Sequence, residues 1–120
     1  MLTIEIQHDG GCVVCSPHGE LDAWTVTDFR AALAEVVGAP NVVIDLCDVG
    51  FMDSAGLGAL IGGIRRLREA DAAVAVACAR PALRRLLQTT GFDRVVDVKA
   101  TVPAAIALVS RGPRAVADRS

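Results

Sequence analysis

The sequence predicts one α/β domain on a mixed sheet of about five strands, an antiparallel N-terminal hairpin followed by alternating strands and covering helices. Three observations predict it. Residues 2–7 and 12–18 are strand-like segments joined by Asp9-Gly10-Gly11. Beyond them, short aliphatic runs alternate with stretches of helical apolar spacing. A chain of 120 residues that is 52% hydrophobic suffices for one core, which the 3% aromatic content makes aliphatic and alanine-rich.

Leu2, Ile4 and Ile6 alternate with Thr3, Glu5 and Gln7, the signature of a half-buried strand. Asp9-Gly10-Gly11 supplies the hairpin turn, since glycine accepts positive φ. Residues 12–18 return as the second strand. Proline cannot donate to a ladder, so Pro17 implies a sheet edge or a bulge there. Gly19-Glu20-Leu21-Asp22 forms the exit from that strand. Thr25 or Thr27 is placed to cap the next helix, where Val26, Phe29, Ala32, Leu33, Val36 and Val37 recur at helical spacing. Gly38 and Pro40 stop it.

Residues 42–46 are apolar except for Asp45 and predict a central parallel strand. Asp48-Val49-Gly50 reads as a short loop. A helix is expected from Ser54 to about Ala70, burying Leu57, Leu60, Ile61, Ile64 and Leu67. Glycine costs such a helix ~1 kcal/mol per residue relative to alanine. Gly58 and Gly62, one turn apart, are either a face for close approach to the sheet or simply tolerated small residues. Residues 73–78 form another buried strand. Pro81 starts a helix over residues 82–89, with Leu83, Leu86 and Leu87 inward and Arg84 and Arg85 outward, and Gly91 ends it. Residues 94–98 read as the last strand, and Thr101 caps a terminal helix to about Val109. The domain therefore spans residues 1–110, with 111–120 a flexible tail.

Composition excludes several classes. No run reaches the ~20 apolar residues of a membrane span, and no basic segment precedes an apolar run at the N-terminus, so a cytoplasmic location without membrane contact is expected. Residues 1–60 hold nine carboxylates and one arginine, whereas residues 61–120 hold five carboxylates and eleven basic residues. That split is either ordinary solvation of helix faces or an acidic half that docks on a basic partner. Arginines without interleaved aromatics give no nucleic-acid signature. Cys12 and Cys15 lie three apart in a strand, hence on opposite faces and ~10 Å apart, beyond the ~7 Å reach of a disulfide. No Cys/His spacing matches a metal site, and no cofactor is expected.

The informative segment is Phe51-Met52-Asp53-Ser54-Ala55-Gly56-Leu57-Gly58. It places Ser54 at a helix start, beside unpaired N–H groups that favour an anion. Asp45, Asp48 and Asp53 lie just upstream. A phosphate on Ser54 would be held by the helix and repelled by these neighbours, which is the physics of a charge switch. Ser54 is alternatively a plain helix N-cap, and Asp22 and Asp53 are alternatively caps of their own helices. The catalytic readings are weaker. A nucleophilic serine lacks the G-x-S-x-G elbow, and His18 is its one plausible base. A phosphate-binding loop lacks its lysine. Asp45 sits inside its strand rather than at the end, so phospho-aspartate signalling is disfavoured too.

Asp53-Ser54-Ala55-Gly56-Leu57-Gly58, with Gly19-Glu20-Leu21-Asp22 about thirty residues earlier, resembles the STAS domains of bacterial anti-sigma factor antagonists. The resemblance covers roughly residues 1–110 and implies a STAS-like fold and a non-enzymatic regulator. It implies that Ser54 is the phosphoacceptor, Ala55 standing where the family often has a second serine. Both motifs are then partner-binding: Gly19, Glu20, Leu21 and Asp22 in one, Asp53, Ser54, Ala55, Gly56, Leu57 and Gly58 in the other. The implied partners are an anti-sigma factor that is also a serine kinase of the histidine-kinase-like ATPase class, and a PP2C-type phosphatase. A stand-alone signalling or small-ligand sensory module of the same family is the alternative.

Overall fold

Gly10 and Gly11, at φ of 56° and 86°, close a two-residue turn that sets Asp9 opposite Cys12. The turn joins β1 (Leu2–Asp9) to β2 (Cys12–Leu21), which pair antiparallel as the alternation requires. The computed structural model describes residues 1–110; the expected tail at 111–120 lies outside the described residues. Next come α1 (Val26–Glu35), β3 (Asn41–Asp45), β4 (Val49–Met52) and α2 (Ser54–Glu69). Then follow β5 (Ala73–Ala77), α3 (Pro81–Thr89), β6 (Asp97–Lys99) and α4 (Val102–Val109). Six strands form one mixed sheet in the order β1-β2-β3-β5-β6, with β4 paired to β2 alone. Every pairing except β1–β2 is parallel.

β4 corrects the sequence reading, which placed a loop at Asp48-Val49-Gly50. Val49 and Met52 are buried and the strand runs beside the end of β2, pairing Gly19 with Val49 and Leu21 with Met52. β2 thus serves two parallel neighbours in succession, β3 along Cys12–Cys15 and β4 along Gly19–Leu21. Pro17 falls in the gap between them, where only β1 flanks β2, so its missing N–H breaks no parallel ladder. Gly19-Glu20-Leu21 is consequently strand rather than exit.

The two sheet faces are unequal. Val13, Cys15, Val42, Ile44, Val74 and Val76 face the larger core beneath α1, α2 and α3. Cys12, Val14, Val43, Ala75 and Ala77 face α4, through Ala105 and Val109. Cys12 and Cys15 therefore lie on opposite faces, as strand geometry demands, and all four cysteines are free thiols.

Five local expectations need correction. Asp45 is the last residue of β3 rather than an interior one. Residues 92–94 form a 3-10 turn anchored by buried Phe92, so β6 begins only at Asp97. Thr25 occupies the N-cap position of α1 without capping it. Arg84 folds back instead of pointing outward, its Nη1 donating to the Cys78 carbonyl at 3.1 Å. Gly58 and Gly62 face open space, whereas Gly56 and Gly63 provide close approach, to Leu21 and Leu33 respectively. Thr101 caps α4 as expected, accepting from Ala104 N at 3.2 Å.

Candidate functional site

The two motifs meet at the carboxyl ends of β2 and β4, where α2 begins. Leu21 and Met52 are paired and buried, and Asp53 N donates to the Leu21 carbonyl at 3.1 Å. Asp53 then turns into the helix with extended backbone, at φ −100° and ψ −173°. Its Oδ1 accepts from Gly56 N at 2.9 Å, satisfying a first-turn N–H. Its Oδ2 accepts from Ala23 N at 3.3 Å, on the loop that follows the first motif. One carboxylate thus caps α2 and ties two segments 30 residues apart. A second tie is steric: a β-carbon on Gly56 would collide with the Leu21 backbone.

Ser54 is the first residue of α2 and is exposed. It is not the N-cap; Asp53 holds that position. The Ser54 hydroxyl makes no hydrogen bond among the described residues and stands at the mouth of a sixteen-residue helix. Ala55 and Leu57 are half-buried, Gly56 is buried and Gly58 is exposed.

The first motif is held by a local lattice. Asp22 Oδ1 accepts from Trp24 N at 2.9 Å and Thr25 N at 3.1 Å, while Asp22 N donates to Thr25 Oγ1 at 3.0 Å. Thr25 Oγ1 in turn donates to the Glu20 carbonyl at 2.8 Å. Asp22 therefore fixes the turn ahead of α1, which is why Thr25 has no hydroxyl to spare for capping. Gly19 takes φ of +124°, and its position leaves no room for a side chain against the Met1 carbonyl. Its N–H donates to the Asp48 carbonyl at 3.2 Å.

Of the carboxylates expected around Ser54, Asp53 alone belongs to this junction. Asp45 accepts from Ser16 Oγ at 3.2 Å and from Cys47 N at 3.0 Å. Asp48 contacts His18 Nδ1 at 2.9 Å, and Glu5 contacts His18 Nε2 at 2.8 Å. The hydrogen bond to Glu5, supported by Asp48, raises the His18 pKa despite a desolvation effect of opposite sign. Clamped between two carboxylates, His18 does not serve Ser54 as a base. Among the described residues no cluster of His, Cys, Asp and Glu could hold a metal ion. No helix among them is long and apolar enough to cross a membrane.

Sequence reasoning missed Ala23, whose N–H is tied to Asp53, and gave no role to Trp24 or to Phe51, the latter inside its informative segment. Trp24 and Phe51 are large hydrophobics at 93% and 55% exposure. Their signal was available as aromatics in a chain with only one Trp and three Phe, each next to a motif.

Residues 3–105 match the STAS domain family. An anti-sigma F factor antagonist of Paenibacillus polymyxa is 29% identical over 100 residues, spanning 81% of this chain and 86% of its own. The crystal structure of an anti-sigma factor antagonist from Mycobacterium paratuberculosis superposes with a TM-score of 0.86 at 30% identity, covering 92% of this chain and 95% of that one. The phosphorylated form of the Bacillus cell fate determinant SpoIIAA superposes at 0.67 with 26% identity, covering 89% and 99%.

Proposed function

Because this chain belongs to the STAS domain family, we propose that it is an anti-sigma factor antagonist switched by phosphorylation of Ser54. The observation that carries the proposal is the division of labour at the start of α2. Asp53 does the capping, so the exposed hydroxyl of Ser54 has no structural duty and is open to a kinase. The relatives named as anti-sigma factor antagonists support the same reading, as does the likeness to a cell fate determinant solved in a phosphorylated form.

Unphosphorylated, the chain binds an anti-sigma factor that is also an ATP-dependent serine kinase of the histidine-kinase-like class, releasing the sigma factor for transcription. Residues Gly19 to Asp22 and Asp53 to Gly58 form the contact. The kinase transfers a phosphoryl group to Ser54 Oγ, adding about −1.5 to −2 charge next to Asp53. The complex separates, and a PP2C-type phosphatase restores the serine. The first-turn N–H groups of α2 that Asp53 leaves free offset part of the new charge within the protein. The chain itself needs no catalytic group or cofactor, and the cycle belongs in the cytoplasm, with the kinase and its ATP.

The test is intact mass spectrometry after incubation with purified candidate kinases and ATP, followed by fragmentation. One phosphate on Ser54 is expected. A phosphate on Ser16, Thr25 or Thr27, or no binding to any anti-sigma factor, overturns the proposal.

A further inference from the structure

We propose that Trp24 and Phe51 are the apolar anchors of the partner interface, and that they fit a partner pocket rimmed by lysine or arginine. The inference rests on the antagonist reading above and names the chemistry of the surface that reading requires.

The aromatics divide into two pairs. Phe29 and Phe92 are buried at 0% and 2% exposure, while Trp24 and Phe51 stand in solvent at 93% and 55%. Both exposed rings are attached to the motif junction. Trp24 follows Ala23, whose N–H is held by Asp53, and Phe51 lies on β4 two residues before Asp53, paired with Glu20. Scattered exposed hydrophobics need no explanation. Trp24 and Phe51, in contrast, sit on the two segments that one carboxylate ties together.

The backbone that carries Trp24 is also held in place. Its own N–H and that of Thr25 bind Asp22 Oδ1, and the turn is tied to Asp53. A backbone fixed before binding removes part of the ordering cost of docking. Tryptophan is also enriched among residues that dominate binding energy.

The surroundings select the occupant. Glu20, Asp22 and Asp53 lie on these segments, and residues 1–60 hold nine carboxylates against one arginine and no lysine. Anionic lipid and nucleic acid are repelled by that rim, and a second copy would bring acid against acid. A protein with an apolar pocket and a basic rim is complementary. The arrangement also accounts for eviction by phosphate, which simple attraction to a basic partner would not. Beside anchors that exclude water, a serine hydroxyl is cheaply desolvated and a phosphate dianion is not.

The experiment is calorimetric titration of the unphosphorylated chain with each purified kinase-type anti-sigma factor of its own genome. With the one that binds, Trp24→Ala should weaken the Kd by ~30-fold or more and Phe51→Ala by roughly 5-fold or more. Trp24→Phe should recover part of the loss. Val95→Ala removes an exposed hydrophobic away from the motifs and should bind like the parent chain. Circular dichroism must show the parent fold in every variant, which the exposure of Trp24 predicts. Wild-type binding left unchanged by Trp24→Ala and Phe51→Ala overturns the inference while leaving the antagonist role intact. Failure of every anti-sigma factor to bind the wild-type chain overturns both. A concentration-dependent dimer in sedimentation that Trp24→Ala dissolves would assign the rings to a second copy and overturn the choice of partner.

Discussion

Gly56 rests against the backbone of Leu21 so closely that the carbonyl oxygen of Leu21 occupies the space a β-carbon would need. The second motif is therefore docked on the first through bare backbone, and the glycine in it has a steric reason.

That reason predicts opposite signs for two substitutions on one helix. Gly56→Ala must push α2 from β2 and should cost ~1–3 kcal/mol. Gly58→Ala, two residues on, meets open space and should gain up to ~1 kcal/mol from helix propensity. Urea unfolding of both variants checks the pair, and equal effects would remove the steric account.

Asp53→Ala deletes both the cap on Gly56 N and the tie to Ala23 N. The expected loss is ~1–2 kcal/mol. Asp53→Asn keeps one acceptor oxygen, so it should preserve the cap and lose only the tie. Amide exchange at Gly56 and Ala23 distinguishes the two: asparagine should leave Gly56 protected and release Ala23.

His18 makes stability pH-dependent. Hydrogen bonding to Glu5, then to Asp48, raises its folded pKa above the ~6.5 of the unfolded chain. A raised histidine stabilises fully below the unfolded pKa and loses that contribution as pH rises through the folded value. The melting temperature of the parent chain should therefore exceed that of His18→Gln most near pH ~5.5–6. The gap should narrow on the alkaline side; a gap that widens with pH would reverse the assigned sign.

The thiols should be inert and unpaired. Burial pushes the Cys15 and Cys47 pKa values up to about 11, with a hydrogen bond to Asp45 adding to the effect at Cys47. A colorimetric thiol assay should find all four cysteines free in denaturant after purification without reductant, and native protein should react slowly. A missing pair mapped to Cys12 and Cys15 would contradict their placement on opposite faces.

Ser54 variants should separate charge from bulk. Ser54→Ala should bind the partner and never be released by the kinase. Ser54→Asp carries a smaller, weaker charge than phosphoserine and should weaken the complex less. All forms should retain the fold, since Ser54 has no capping role. Calorimetry with circular dichroism checks the series, and a phosphoserine form that binds as tightly as serine would end the switch proposal.

What the sequence revealed was what local chemistry dictates. Gly10 and Gly11 announce the hairpin turn, and period-two geometry alone separates Cys12 from Cys15. Ser54 could be placed at a helix start because an apolar strand precedes it and helical spacing follows. The misreadings were non-local. β4 is four residues with Gly50 inside it, and only its pairing with Gly19–Leu21 makes it a strand. Gly58 and Gly62 share the one-turn spacing of a contact face, but Leu21 and Leu33 select Gly56 and Gly63. Capping by Asp53 is legible locally, while its bond to Ala23 depends on chain 30 residues away.

β4 is fastened to the sheet along one side only, by its pairing with the end of β2. β3 and β5, in contrast, are each flanked by strands on both sides. Hydrogen exchange at Phe51 and Met52 can then proceed through excursions that detach this rim and leave the sheet centre closed. A partner that binds only the closed rim suppresses those excursions in proportion to its occupancy. Release of the partner would return the rim to its own opening energy, so slowed exchange confined to β4 and the start of α2 reports, amide by amide, whether the surface is occupied.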